Sequence, residues 1–209
     1  MRPTGREPGA GSEMARPQPD ADARRQALLA AAERVLKANR GRRLVMSDVA
    51  AEAGMSQSYA YRFFSDKNAL IAAMAENWFA DVSKAVCALV DGPGPVRFRL
   101  EDFVLVQMRM KCAGHDADPV LFSAYLDLAS GHPDIVMAHV QEMERVLTAL
   151  MAERFPGRDA AAAARVFNDA TRMFRDPYVI ARMRPLITED RARAVIATVL
   201  AGLESGQPA

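Results

Sequence analysis

The sequence lacks an apolar run long enough to cross a bilayer, because charged residues interrupt each apolar stretch after a few positions. It also lacks the apolar leader segment of an exported protein. It has only two cysteines, Cys87 and Cys112, and their spacing matches no metal-binding or redox motif. We therefore expect a protein of the reducing cytoplasm without membrane contact. The two thiols are either buried side chains or a redox pair, and the sequence leaves both open.

Catalytic signatures are missing as well. The sequence contains no phosphate-binding loop, dinucleotide fingerprint, nucleophile elbow or His-Glu-x-x-His zinc motif. Its three histidines, His115, His132 and His139, offer few acid–base candidates and have no convergent cysteine or acidic partner for a metal. The sequence therefore predicts no enzyme: no catalytic residues, no cofactor and no metal site.

The charge of the chain is unevenly distributed. Apolar residues make up 50% and charged residues 25% of the chain, which is typical of a globular protein with a substantial core. The net charge is only +1. Residues 1–75 contain twelve Lys or Arg against eight Asp or Glu, whereas the rest of the chain has a net charge of −3. This asymmetry favours contact between the N-terminal part and phosphate.

Apolar residues recur at three- and four-residue spacing from Ala21 onward, and no segment alternates as a strand does. The sequence thus predicts an all-α fold of nine or ten helices. Ser47, Ser56 and Ser65 are the predicted N-caps of three consecutive helices, the second of which runs to Phe64. Beyond a Gly- and Pro-rich break, further helices are predicted at about 96–113, 119–129, 133–154, 158–175 and 188–203, with a short one from Pro177.

The first twenty residues have a different character. Residues 1–20 contain four prolines, three glycines and no apolar periodicity, so we expect a disordered arm. Its arginines, Arg2, Arg6 and Arg16, either touch a DNA groove or remain solvated, and the sequence does not decide between the two.

The block from residue 47 to residue 70 has the residue types of a helix-turn-helix. Two short helices that cross steeply need small or apolar residues at a few fixed positions and a tight turn between them. Gly54 suits that turn, since it adopts the left-handed conformation that a residue with a Cβ resists. The predicted packing residues are Val49, Ala50, Ala53, Met55, Ala60 and Phe63.

The second helix of this block presents hydrogen-bonding side chains with little net charge: Gln57, Ser58, Tyr59, Tyr61 and Arg62. An ordinary solvated face would carry more pairs of Glu and Lys. Uncharged donors and acceptors, together with an arginine, suit base edges and phosphates. We therefore predict double-stranded DNA as a partner. The alternative is a helix-turn-helix that serves only as a protein interface.

The block resembles the DNA-binding domain of the tetracycline-repressor (TetR) family. The family's typical stretch is a Ser- or Thr-capped helix, Ala-Gly-Val-Ser, a short helix that ends in Tyr-x-x-Phe, and Lys-x-x-Leu. This chain matches it with Ser47, Ala50 and residues 53–56, 61–64 and 67–70. The resemblance is specific over about residues 22–75. It implies phosphate contacts from Ser47, Tyr61 and Lys67 and base contacts from residues 57–59. It also implies a ligand-responsive repressor that binds a pseudo-palindromic operator as a homodimer and is released by a small, apolar effector.

With the resemblance, the chain divides into a helix-turn-helix DNA-binding domain at residues 21–66 and a helical effector-binding and dimerisation domain at residues 67–209. The chain departs from the family pattern at Ser58 and Tyr59, where glycine and a small residue are common. The chain also departs from the pattern at Phe63, whose side chain cannot donate a hydrogen bond to phosphate. We therefore expect this chain to read different bases from its relatives.

A recognition helix of about two turns reaches only a few base pairs, so a two-fold dimer is needed to engage successive major grooves. We predict a homodimer through the helices at about 158–175 and 188–203. The first is rich in alanine. The second carries an apolar stripe of Val195, Ile196, Val199, Leu200 and Leu203. Both stripes also fit the core of a monomer, and the sequence leaves this open.

The middle helices are rich in methionine and aromatic residues, which either fill a core or line a ligand cavity. By the resemblance, some of them should line a pocket for a small-molecule effector of unknown identity. The residues predicted for it are Met108, Phe122, Tyr125 and Met143. Gln107 and Arg109 either add a polar contact or lie on the surface. A purely helical interaction protein is the remaining alternative, but it would not account for the uncharged polar face at residues 57–62.

Overall fold

The computed structural model describes residues 19–206, which are helical as predicted and contain no strand. The helices are α1 (Pro19–Ala38), α2 (Met46–Glu52), α3 (Gln57–Ala60), α4 (Lys67–Cys87), α5 (Val96–Ala117), α6 (Pro119–Ser130), α7 (Pro133–Arg154), α8 (Ala160–Arg175), α9 (Pro177–Met183) and α10 (Glu189–Ser205), with a 3₁₀ turn at Arg184–Leu186. The arm expected at residues 1–20 lies outside the described residues, apart from Pro19 and Asp20 at the start of α1. Within the described range, no helix is long and apolar enough to span a membrane.

Side-chain caps confirm several predicted helix starts. Ser56, a predicted cap, accepts a hydrogen bond from a backbone N–H in the first turn of its helix, and so do Asp118, Asp176 and Thr188 at the starts of the later helices. His132 stands at the N-cap position of α7 but makes no side-chain cap bond. At each of these N-cap residues, the backbone changes from a non-helical to a helical conformation.

Two predicted caps are wrong. α2 begins at Met46 with Val45 as its N-cap, so Ser47 lies in the first turn and does not cap the helix. α4 is capped by Asp66 instead of Ser65, and Asp66 Oδ1 accepts a hydrogen bond from the N–H of Ala69 over 2.8 Å. A carboxylate at this position also interacts favourably with the positive end of the helix, which a serine hydroxyl does less strongly.

The helices pack around two apolar clusters. The head cluster joins α1, α2 and α3 to the first half of α4, and the body cluster joins the second half of α4 to α5–α10. α6 belongs to both, because its Ala124 and Tyr125 lie in the head cluster while Phe122 and Leu126 lie in the body cluster. α4 and α6 are therefore the elements through which the head and the body touch.

α8 packs against α7, α5 and α10 at the far side of the body. On α10, Ile196 and Leu200 are buried in the body cluster, and Val195, Val199 and Leu203 pack partly buried against it. The apolar stripe predicted as a dimer seam thus fills the core of the monomer, the option that the sequence left open. The outer face of α10 carries the exposed residues Ala194, Ala197 and Ala201.

Candidate DNA-binding surface and effector cavity

The turn between α2 and α3 has the geometry that the glycine predicts. Gly54 has a φ of +67°, in the left-handed region that favours glycine. Val49, Ala50 and Ala60 are fully buried at the crossing of the two helices. Ala53, Met55 and Phe63 are only half-buried, and the fully buried aromatic residue is Phe64. α3 also ends at Ala60 and not at Phe64, because residues 61–63 form a turn that carries Phe64 into the head cluster.

The surface around α3 holds the side chains predicted to contact DNA. Six of the seven are exposed: Ser47, Gln57, Ser58, Tyr61, Arg62 and Lys67. Tyr59 is half-buried, with its ring edge-on to Phe63 at a centroid distance of 5.2 Å. The guanidinium of Arg62 lies 5.6 Å from the centroid of the Tyr59 ring. Tyr59 is therefore held between two neighbours, which limits the orientations of its hydroxyl.

A cavity of about 420 Å³ lies within the body. Side chains from α4, α5, α6, α7, α8 and α9 line it, and its volume is in the range of small-molecule sites. Much of its wall is apolar and is formed by Trp78, Phe79, Leu126, Val136, Met143 and Leu147. The cavity adjoins α4 and α6, the two helices that connect the body to the head.

Of the predicted effector residues, Met143 lines the cavity. Met108, Phe122 and Tyr125 are buried but do not line it. Phe122 packs edge-on against Trp78 at a centroid distance of 5.7 Å, and Tyr125 stacks on the same indole at 5.8 Å. They therefore contact the cavity indirectly, through Trp78, which lines it.

Gln107 and Arg109, the two polar residues considered for the effector site, lie in different surroundings. Gln107 is fully buried and lines the cavity, and its amide donates a hydrogen bond to the carbonyl of Phe103 over 2.7 Å. Arg109 lies on the surface, where it makes a two-pronged ion pair with Glu189 at 2.7 Å for each hydrogen bond. Within one turn of α5, the side chain of Gln107 is therefore buried and that of Arg109 is exposed.

The sequence analysis missed two cations in the cavity wall, Lys111 and Arg175. Both are buried, and Lys111 Nζ donates a hydrogen bond to the carbonyl of Arg175 over 2.8 Å. Burial and the charge of Arg175 lower the pKa of Lys111 to about 7. A signal was present, because Lys111 follows Phe103, Gln107 and Met108 in the buried stripe of α5.

His139 also lines the cavity. Its Nδ1 lies 3.0 Å from the hydroxyl oxygen of Ser83, and its ring stacks on Phe79 at 4.4 Å. Burial and the charge of Lys111 lower the pKa of His139 to about 4. The imidazole is therefore neutral near pH 7 and contributes a polar but uncharged surface.

Family models match both parts of the chain. Residues 28–74 match the model of the bacterial regulatory proteins of the tetR family, and residues 97–196 match the tetracyclin repressor-like C-terminal domain. No curated protein sequence matches the chain.

Solved structures share the fold at low sequence identity. A transcriptional regulator from Pseudomonas aeruginosa PAO1 is 21% identical, with 88% of this chain and 92% of that chain covered and a TM-score of 0.68. SmeT, the repressor of the Stenotrophomonas maltophilia multidrug efflux pump SmeDEF, is 17% identical, with 88% and 91% covered and a TM-score of 0.64.

A helix-turn-helix head on a helical body with a ligand-sized cavity defines a one-component transcriptional regulator. The two family models together cover most of the chain. The chain belongs to the tetracycline-repressor family and is a ligand-responsive, DNA-binding transcriptional regulator.

Proposed function

We propose that this regulator is a repressor, which binds its operator as a homodimer through the surface around α3 and releases it when a small molecule enters the body cavity. The observation that carries the proposal is the joint contact of α4 and α6 with the cavity and with the head cluster. A ligand that changes the packing of Trp78 acts on both helices, because the indole packs against both clusters.

The proposed DNA contacts follow from exposure and position. Gln57 and Ser58, in the first turn of α3, read base edges together with Tyr59. Ser47, Tyr61 and Lys67 contact phosphates on either side of the groove, and Arg62 adds a further cationic contact. Lys67 is the first residue of α4, so the helix that lines the cavity also ends at the DNA backbone.

The dimer that we propose uses the helices at about 158–175 and 188–203. Because the apolar stripe of α10 is occupied within the monomer, the contact would use its outer face. Ala194, Ala197 and Ala201 on that face are small enough for two helices to approach closely. Two-fold symmetry would place two copies of α3 about 34–36 Å apart, one turn of DNA. The domain boundary that we propose, between residues 66 and 67, lies at the start of α4.

SmeT is a repressor of a multidrug efflux pump. By analogy with such a regulator, we propose a small molecule as the signal for this chain, and the apolar wall around Trp78 and Met143 would hold its apolar part.

Binding to the DNA upstream of its own gene tests the DNA-binding part of the proposal. The full chain should bind that duplex more tightly than a scrambled duplex of equal length. Its affinity should fall by orders of magnitude between about 50 and 200 mM salt, since several phosphate contacts release counterions. Equal affinity for the two duplexes at both salt concentrations would contradict a specific operator there.

A further inference from the structure

We propose that the effector is an amphipathic organic carboxylate, whose anionic head pairs with Lys111 and Arg175 while its apolar body lies against Trp78 and Phe79. This inference rests on the proposed role of the cavity as the effector site. It replaces a purely apolar effector by one with a charged head, and it follows from the charges in the cavity wall.

Within the described residues, neither of the two buried cations forms an ion pair with an acidic side chain. Lys111 and Arg175 are both more than nine-tenths buried. Buried charges in proteins are normally paired, because removing a charge from water is strongly unfavourable. An anion bound in the cavity would supply the missing partner for both.

The nearby acidic side chains are already engaged or exposed. Asp176, next in sequence to Arg175, caps α9 by accepting hydrogen bonds from the N–H groups of Tyr178 and Val179 at 2.9 and 3.2 Å. Its other carboxylate oxygen accepts a hydrogen bond from Arg172 at 3.3 Å. Glu144 lines the cavity but is exposed. The charge of Asp176 raises the pKa of both Lys111 and Arg175, but burial and a neighbouring arginine lower each pKa by more, so Asp176 offsets the two buried charges only in part.

Some hydrogen-bond donors on both cations have no partner in the described part of the chain. The three hydrogen bonds of the Arg175 side chain, to Asn168 and Thr171, all start from Nη2. Arg175 Nε is buried without a partner in the described part of the chain. Lys111 Nζ has three N–H groups and donates one hydrogen bond there, to the carbonyl of Arg175. A carboxylate, which accepts at two oxygens, suits this set of donors.

The rest of the cavity selects against a bare inorganic anion and against a cation. Trp78, Phe79 and Leu126 present apolar surface that only an organic group would cover. The ionisable groups that line the cavity beside Lys111 are His139 and Glu144 from α7, Arg165, Arg172 and Arg175 from α8, and Asp176 and Tyr178 at α9. α4 and α6 contribute no ionisable group to the wall. Arginines therefore outnumber carboxylates, and the field favours an anion.

Binding of such a ligand should take up a proton. Burial and Arg175 lower the pKa of Lys111 to about 7, and a carboxylate beside Lys111 would raise it again. Above pH 7, the affinity for a carboxylate should therefore fall by up to about tenfold for each pH unit. The pKa of Arg175 is lowered only to about 10, so Arg175 stays charged in this range.

The experiment compares carboxylates with their uncharged primary amides. The probes are 4-phenylbutanoate, octanoate and 2-naphthoate, each beside its amide, and the readout is the fluorescence of Trp78, the only tryptophan of the chain. At pH 7 the full-length protein should bind at least one carboxylate about tenfold more tightly than its amide, since hydrogen bonds to charged groups are the stronger ones. This preference should shrink between pH 7 and pH 9.

Lys111→Met tests the residue, with Lys84→Met, an exposed lysine of α4, as the matched control. Lys111→Met should lose most of the carboxylate preference and the pH slope, and Lys84→Met should keep both. If Lys111→Met does not fold, the pH slope of the wild-type protein still decides. The proposal is overturned if no carboxylate binds, if amides bind as tightly as carboxylates, or if the folded Lys111→Met variant keeps the preference.

Release of the upstream DNA separates this inference from the proposed function. If amides bind in the cavity and release DNA while carboxylates do not, the cavity is the effector site and the carboxylate inference falls. If carboxylates bind with the expected preference and pH slope but leave DNA binding unchanged, the anion site stands and the cavity is not the effector site. Release of DNA by the preferred carboxylates supports both.

Discussion

The phenol of Tyr125 in α6 donates a hydrogen bond to the carboxylate of Glu33 in α1 over 2.6 Å. The ring of Tyr125 also stacks on Trp78, which lines the cavity. Trp78, Tyr125 and Glu33 thus form a continuous contact path from the cavity wall to the first helix of the head. Burial and the carboxylate of Glu33 both raise the pKa of Tyr125, so the phenol remains a donor throughout the physiological range.

Tyr125→Phe should weaken the connection between head and body. The change removes one hydrogen bond to a charged acceptor and keeps the ring stacked on Trp78, so the free energy of unfolding should fall by about 1–2 kcal/mol. The ligand concentration needed to release DNA should also change. For the free energy of unfolding, Tyr178→Phe is the control, because the hydroxyl of Tyr178 makes only a long bond of 3.4 Å to the carbonyl of Leu126. Equal unfolding free energies for the two variants in a urea titration would contradict the role of Tyr125.

Gly41 should be sensitive to the addition of a methyl group because α6 lies against it. Its φ is +74°, and a Cβ there would lie 2.8 Å from the Cβ of Ala124. Gly41→Ala should therefore lower the free energy of unfolding by about 2–4 kcal/mol through backbone strain and displacement of α6. Gly94→Ala, at φ +89° with open space around it, should show the strain alone, about 1–2 kcal/mol. Equal losses in chemical denaturation would argue against a tight contact between Gly41 and α6.

Tyr59 should determine sequence preference. Tyr59→Ala should abolish the discrimination between the upstream duplex and a scrambled one, with the dimer intact by sedimentation, because Tyr59 is part of α3. Tyr59→Phe separates the two roles of the residue, since it keeps the edge-on packing against Phe63 and removes only the hydroxyl. Unchanged discrimination by Tyr59→Ala would remove Tyr59 from the set of reading residues.

Lys67 should contribute affinity without sequence preference. Lys67→Ala should weaken binding to both duplexes by the same factor and reduce the slope of log affinity against log salt by about 1. Lys84→Ala, an exposed lysine further along α4, should leave both quantities unchanged. A loss confined to one base pair of the operator would instead place Lys67 at a base edge.

His139 should make stability depend on pH. Its pKa in the folded protein is about 4, below the ordinary 6.5, so between these values the unfolded chain binds the additional proton. The contribution of His139 to stability is thus complete above pH 6.5 and is lost as the pH falls toward 4. His139→Gln should flatten the pH dependence of the thermal unfolding midpoint across this window, because it removes the imidazole whose pKa differs between the folded and unfolded protein. An unchanged profile in His139→Gln would contradict a buried neutral imidazole.

Much of the fold could be predicted because local chemistry marks it. Asp118-Pro119 and Asp176-Pro177 indicate helix starts, and Gly54 indicates the turn of the helix-turn-helix. The polar surface of α3 could be predicted for the same reason, because it depends on residue types within one short segment. Its use in DNA binding remains a prediction for each residue.

The cavity could not be predicted in detail. Phe122 and Tyr125 have the same apolar character and helical spacing as Met143, but only packing between helices decides which of them faces an empty space. Lys111 and Arg175 are separated by α6 and α7 in sequence, so their meeting in one wall depends on tertiary contacts. The stripe of α10 was ambiguous for the same reason, since an apolar face fits an internal core and a partner equally well.

α4 connects two different parts of the molecule, the surface around α3 at its first residue and the cavity further along. Lys67 stands at its exposed tip and Trp78 lies eleven residues further along, beside the cavity. At a rise of 1.5 Å per residue this arm is about 16 Å long, so a tilt of about 10° at Trp78 moves Lys67 by about 3 Å. That displacement equals the whole length of a hydrogen bond. A tilt of this size would therefore be enough to break the phosphate contact that we propose for Lys67.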